Sequence, residues 1–162
     1  MSYPDPLYLG DTGEVSATLR PAGQAPELAY KSGGACHYLA TGAGTNGEFG
    51  LYRWEMAPKQ GGPDAHFHKS ISESFYILSG TVRLYDGAKW INARTGDFLF
   101  VPEGGVHAFG NESDEPASML LLFAPGAPRE DYFETLAAVG QGLTMTDEER
   151  AAFFLRHDTF WL

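Results

Sequence analysis

Apolar and polar residues alternate with a period of two along much of the chain before Pro125, which predicts strands. Glu48 to Ala57 (EFGLYRWEMA) shows it best, with Tyr52, Trp54 and Met56 on one face and Leu51, Arg53 and Glu55 on the other. Residues two apart in a strand share a face, so the first trio is expected to face an interior and the second a wetter surface. Ala35 to Thr41 (ACHYLAT) reads as another strand, with His37 and Leu39 opposite Cys36 and Tyr38. Thr81 to Tyr85 and Lys89 to Ala93 flank Asp86-Gly87, a strong hairpin signal. Phe98 to Val101 is nearly all apolar, and cover on both faces is expected. Ser118 to Ala124 (SMLLLFA) is expected to close the sheet or to lie at a subunit interface. Glu14 to Arg20 reads as a further short strand. Met1 to Asp11, with Pro4 and Pro6, reads as an extended arm whose Tyr3, Leu7, Tyr8 and Leu9 need an apolar surface, its own or a partner's sheet edge.

After Pro125 the period changes. Pro128 suits a first helical position, Glu130 and Asp131 suit a helix N-terminus, and Tyr132, Phe133, Leu136 and Ala137 recur at helical spacing before Gly140. Thr146 with Glu149 forms a capping box for a second helix running to about His157, with Phe153 and Phe154 inward and His157 exposed. The aromatic residues of this tail are expected to pack as core on the outside or over the mouth of the strands. The expected fold is all-β, a single barrel with a C-terminal helical tail. Residues 1–34 form the arm and first strands, 35–126 the barrel and 127–162 the helices, in one domain overall.

Composition sharpens this picture in a few places. Twenty glycines, ten prolines and 14% aromatic residues suit a turn-rich β fold. A formal net charge of −10 argues against nucleic acid and anionic membrane surfaces as partners. Cys36 is the single cysteine, so no internal disulfide forms. No run approaches the ~20 apolar residues of a membrane span. The opening MSYPDPLYLGDTGE lacks a basic and an apolar segment in series, so a cytoplasmic location is expected. No internal repeat is visible, which favours one barrel over two.

The candidate chemistry lies between Gln60 and Asn111. His66 and His68 stand two apart, so a strand aims both imidazoles into one space, and a turn over Lys69 to Ser72 returns Glu73 beside them. His107 arrives from a distant strand if the sheet closes. Three imidazoles and a carboxylate form a mixed nitrogen and oxygen set that suits one divalent transition metal, with Fe, Ni, Mn, Co, Cu and Zn left open. In an octahedral ion, four such ligands leave two positions for water, substrate or dioxygen.

These residues resemble the two conserved motifs of the cupin superfamily. His66, His68, Glu73 and Gly80 fit the later part of the first motif, and Gly96, Pro102, Gly104, His107 and Asn111 fit the second. The leading glycine of the first motif falls at Gln60, with Gly61 and Gly62 next to it. The resemblance covers about a third of the chain. It implies a small double-stranded β-helix, or jelly-roll, barrel of the short single-domain bacterial type, with His66, His68, Glu73 and His107 on one metal. The helical tail resembles the quercetin-dioxygenase-like branch, and related sites imply a second role for Glu73 as catalytic base toward a substrate hydroxyl.

The predicted lumen wall comprises Tyr52, Trp54, Met56, Phe75, Ile77 and Phe109, which suits a flat apolar small molecule. An oxalate or sugar-phosphate site calls for a buried Arg or Lys near the metal. The nearby strand arginines are Arg53 and Arg83, and Arg53 falls on the wetter face. A metal-dependent dioxygenase acting on a small aromatic or apolar substrate is therefore the leading reading. Non-redox isomerase, cyclase or lyase chemistry and simple ligand binding are the alternatives. The apolar Ser118 to Ala124 strand, Tyr76, Leu78 and the arm point to a homodimer.

Overall fold

Alternation along the strands becomes one-sided burial in the computed structural model, which describes residues 2–162. The first three strands are β1 (Leu28–Ala29), β2 (Ala35–Ala40) and β3 (Gly50–Met56). Next come β4 (His66–Phe67), β5 (Ser72–Ser79), β6 (Thr81–Tyr85) and β7 (Trp90–Arg94). They are followed by β8 (Phe98–Val101), β9 (Ala108–Gly110) and β10 (Ala117–Ala124). Helices α1 (Arg129–Gly140) and α2 (Asp147–Arg156) precede a last strand, β11 (Phe160–Trp161).

All pairings are antiparallel. One sheet runs β1-β2-β3-β10-β5-β8, a second runs β7-β6-β9, and β11 pairs with β4. The apolar strand β10 is central, between β3 and β5, and buries Met119, Leu121 and Phe123 on its inner face. Tyr52 and Met56 of β3 and Phe75 and Ile77 of β5 join them, as do Val82 and Leu84 of β6. The two larger sheets thus share one core. Each such large apolar side chain contributes roughly 1.5–3 kcal/mol when fully buried.

The helices attach to the open side of β3 and β10. The Tyr52 hydroxyl donates to the Glu130 carboxylate at 2.5 Å, and Phe133 packs edge-on to Tyr52 and Trp54 at 5.2 Å each. The capping box at Thr146 and Glu149 is present in full and starts α2 as expected. Phe153 of α2 stacks on Tyr132 of α1 at 5.4 Å, which fixes the helix pair.

Four expectations are corrected here. Glu14 to Arg20 forms no strand. Its lone apolar residues, Val15 and Leu19, are fully exposed and have no neighbouring strand to pair with. Phe98 and Phe100 are not covered on both faces but are 63% and 56% exposed, because β8 is the edge of its sheet. His157 is buried, with Nε2 3.1 Å from the Asp131 carboxylate and its ring against Phe153. The tail is more than helix: β11 adds a strand to β4.

Candidate metal centre

Strand geometry assembles the four predicted ligands. His66 and His107 sit directly opposite one another in an antiparallel bridge, each backbone N–H donating to the other's carbonyl at 3.0 and 2.9 Å. Their side chains therefore leave on the same face, with ring centroids 4.3 Å apart. His68 follows two residues after His66, on that same face, and its ring lies 5.1 Å from that of His66. Glu73, the second residue of β5, completes the group from the neighbouring sheet. One candidate ligand atom from each of the four lies within 4.8 Å of the others, and all four side chains are buried.

Two glycines permit this approach. Gly104 holds φ +81° while its N–H donates to the His68 carbonyl at 2.6 Å, and this left-handed conformation favours glycine. At Gly62 a Cβ would run into the Phe109 carbonyl oxygen. Asn111 closes the loop behind them. Its amide donates to the carbonyls of Ala57 and Glu115, and its oxygen accepts from the N–H and hydroxyl of Ser113.

The hydrogen bonds also set the protonation of the rings. Nδ1 of His66 faces the Asp64 carbonyl at 2.9 Å, Nδ1 of His68 the Asp158 carbonyl at 2.6 Å, and Nδ1 of His107 the Gly105 carbonyl at 3.0 Å. A carbonyl oxygen only accepts, so each Nδ1 carries the proton and a neutral ring keeps its lone pair on Nε2. Nε2 of His107 and of His68 then lie 2.8 and 3.3 Å from the same Glu73 oxygen. Lone pairs facing a carboxylate at these distances repel unless a cation stands between them. A proton on His107 can do this for one pair, while a divalent metal does it for the whole set. Nitrogen and oxygen ligands at about 2.1 Å from one ion lie roughly 3–4 Å from each other. The four residues therefore fit one ion with small side-chain movements.

The electrostatics agree. Burial pushes the His66 imidazole down to about 4, which keeps it a neutral donor. Burial also acts to raise Glu73, but in the metal-free site the charge and hydrogen bond of a protonated His107 outweigh it and hold the carboxyl well below its usual range. His107 moves up despite its burial, because Glu73 favours its charged form.

A cavity of about 510 Å³ opens from His66 and Glu73. Of the six residues predicted to form its wall, Trp54 and Phe109 line it. Tyr52, Met56, Phe75 and Ile77 are instead fully packed in the core, because the sheets close tightly beneath the metal cluster. Besides the 60–64 loop and β10, the tail supplies much of the wall: Arg129, Tyr132 and Phe133 of α1, Phe154 of α2, and Trp161 of β11. Tyr132, Phe133 and Phe153 pack as core, as expected of the tail, and Tyr132 and Phe133 face the cavity as well. Their helical spacing showed that they were buried; nothing in it told which surface they faced.

The tail also reaches the ligands. Trp161 is the register partner of His66, with the rings 5.2 Å apart. Asp158 holds Nδ1 of His68 through its carbonyl, and its carboxylate accepts from the N–H of Lys69, the N–H of Ser70 and the Ser70 hydroxyl. His37, left unplaced by the sequence, lies apart from the cluster and contacts Arg53 and Glu55 across strands.

The Cupin domain family matches residues 52–123, which include all four clustered residues. This chain belongs to the cupin superfamily. Its pattern of sheets and its two C-terminal helices fit the cupin jelly roll. A Cupin 2 conserved barrel domain protein from Salinispora arenicola shares the fold, with TM-score 0.55 and 20% identity over 74% of this chain and 98% of that one. Quercetin 2,3-dioxygenase of Bacillus subtilis is 30% identical over 118 residues, which cover 73% of this cupin and 34% of the relative. The tetracenomycin polyketide synthase protein TcmJ of Streptomyces glaucescens is 24% identical over 72% of this chain and 78% of its own length. This cupin thus spans about a third of the length of the quercetin dioxygenase that it matches. No helix among the described residues is long and apolar enough to cross a membrane.

Proposed function

We propose that this cupin is a metal-dependent oxidoreductase of the dioxygenase type, acting on a small aromatic substrate, with His66, His68, Glu73 and His107 as ligands to one divalent transition metal. The observation that carries this reading is the set of Nε2 lone pairs and one carboxylate oxygen converging at the head of an aromatic-walled cavity. A bound ion supplies a Lewis acid and open positions for oxygen ligands. Trp54, Phe109, Tyr132, Phe133 and Trp161 offer flat apolar surfaces that orient an aromatic ring and exclude water. Glu73 is ionised and stands at the head of the cavity, where it can meet the hydroxyl of a bound substrate and act as its base. The similarity to quercetin 2,3-dioxygenase supports the oxidative assignment.

A second reading, non-redox chemistry on a polyketide, draws on the similarity to TcmJ. Oxygen uptake separates the two. Protein loaded in turn with Fe, Ni, Mn and Co is given a panel of flavonols and catechols in an oxygen electrode. Substrate-dependent oxygen consumption is expected with at least one metal. Conversion of a phenolic or polyketide substrate at the same rate without oxygen overturns the oxidative reading.

A further inference from the structure

Arg129 stands in a place that its own chemistry disfavours. It is the first residue of α1, so its positive charge sits at the positive end of the helix dipole. It is 3% exposed, and among the described residues it has no ion pair with a carboxylate. A buried charge without a partner is costly unless something else satisfies it. The protein does so only in part. Nη1 donates to the His157 carbonyl at 2.8 Å, and the guanidinium lies over Tyr132 at 4.1 Å and Phe123 at 5.0 Å. Nε has no hydrogen-bond partner.

Its position relates it to the metal cluster. Phe123 is the register partner of Glu73 and lies 6.4 Å from the His68 ring. Arg129 stacks on that same Phe123 and lines the same cavity as His66 and Glu73. Arg150 lines this cavity too, so it takes two of the chain's eleven basic residues, in a protein of net charge −10. Asp64 is the other acidic residue of the wall besides Glu73. With Nη1 anchored and the ring faces of Tyr132 and Phe123 fixing its plane, the remaining N–H groups of the fork are left for an acceptor in the cavity that Arg129 lines. A planar guanidinium matches the two oxygens of a carboxylate.

We propose that Arg129 binds the carboxylate of the substrate, so that the cavity selects a flat apolar molecule bearing one carboxylate group. This deepens the functional reading above and shares its premise that substrate occupies this cavity. It also revises the sequence argument against an anionic substrate, which considered only strand arginines. The cation arrives instead from the helical tail.

Binding tests this without turnover. Benzoate and its neutral analogue benzamide are titrated against the intrinsic fluorescence of Trp54 and Trp161, both of which line the cavity. Wild type, Arg129→Met and Arg129→Lys are compared, each metal-loaded and chelator-stripped. Wild type is expected to bind benzoate at least about 10-fold more tightly than benzamide. Arg129→Met should lose that preference while benzamide binding and metal content stay unchanged. Arg129→Lys keeps the charge and the stem but loses the fork, and is expected to weaken benzoate several-fold. It carries the test alone if the Met variant does not fold. A benzoate-to-benzamide ratio near one in wild type, or one unchanged in both variants, overturns the proposal and leaves Arg129 a structural pillar. A preference that survives Arg129→Met but vanishes with the metal assigns the anion to the ion; it overturns this proposal and leaves the metal reading standing. Arg129-dependent binding in a protein that takes up no metal supports this proposal and overturns the metal reading.

Discussion

Asp158 ties the tail to the metal cluster, and removing its side chain should damage stability and metal retention together. The carboxylate accepts from the N–H of Lys69 at 3.0 Å, and from the N–H and hydroxyl of Ser70 at 2.7 Å each. These residues form the turn between β4 and β5, between His68 and Glu73. Hydrogen bonds to a charged acceptor contribute about 1.5–3 kcal/mol each when well shielded. Lys69 and Ser70 are exposed and regain water in the mutant, so the three together are discounted to about 2–3 kcal/mol. Asp158 also has φ +52°, where Ala adds about 1–2 kcal/mol of backbone cost and Gly adds none. Asp158→Gly is therefore expected to lose about 2–3 kcal/mol and Asp158→Ala about 3–5 kcal/mol, with the difference reporting the backbone. At roughly 2–4 °C per kcal/mol for a chain of this size, the Gly variant should melt about 5–10 °C below wild type. The looser turn also frees His68, whose Nδ1 rests on the Asp158 carbonyl, and metal affinity should fall about 10–100-fold. Thermal unfolding by circular dichroism and a metal titration measure both. A Gly variant that melts within a degree of wild type and binds metal equally refutes the coupling of tail to site.

Other perturbations give separate outcomes. Glu73→Gln should keep much of the site's shape but remove the base, lowering turnover on the order of 10²-fold or more under steady-state assay, with Glu73→Ala also losing metal. Acidification should destabilise the fold through His66. Its folded value of about 4 lies below the ordinary ~6.5, so this contribution is present above pH ~6.5 and is lost as pH falls toward 4. The effect approaches about 3 kcal/mol, read as a falling melting temperature across that window in metal-free protein. On the outer face of the sheet, Tyr76 pairs with Phe98, and Phe100 follows on the same side, all exposed at the edge strand β8. A second copy of the chain is expected to cover this patch, and Phe98→Glu with Phe100→Glu should convert a dimer to a monomer in sedimentation.

The strands were legible where the apolar period met a turn signal. Thr81 to Tyr85 and Phe98 to Val101 coincide with β6 and β8, and the capping box at Thr146 starts α2. Strand parity placed His66 and His68 on one face, and the short turn after them let Glu73 return beside them. His107 was joined to them by its place in the resemblance to the second cupin motif, because parity does not tell which distant strand comes near. The wall of the cavity was not. Parity tells that Tyr52, Phe75 and Ile77 point inward, but it cannot tell packed core from open cavity; that depends on how closely two sheets approach. β11 escaped because two residues carry no period, and its pairing with His66 and Phe67 is nonlocal. Arg129 escaped for a related reason. At a helix start it reads as an exposed charge, and only the docking of α1 over β3 and β10 buries it beside Phe123.

The central claim is that three imidazoles and one carboxylate hold a single ion. X-ray absorption on the cobalt-loaded protein, with elemental analysis of the same sample, tests it directly. About one cobalt per chain is predicted, with imidazole scattering from three rings in wild type. His66→Ala combined with His107→Ala should abolish both the stoichiometry and the imidazole signal. A loaded protein that holds no cobalt after buffer exchange, or a double variant whose spectrum and metal content match wild type, contradicts the account.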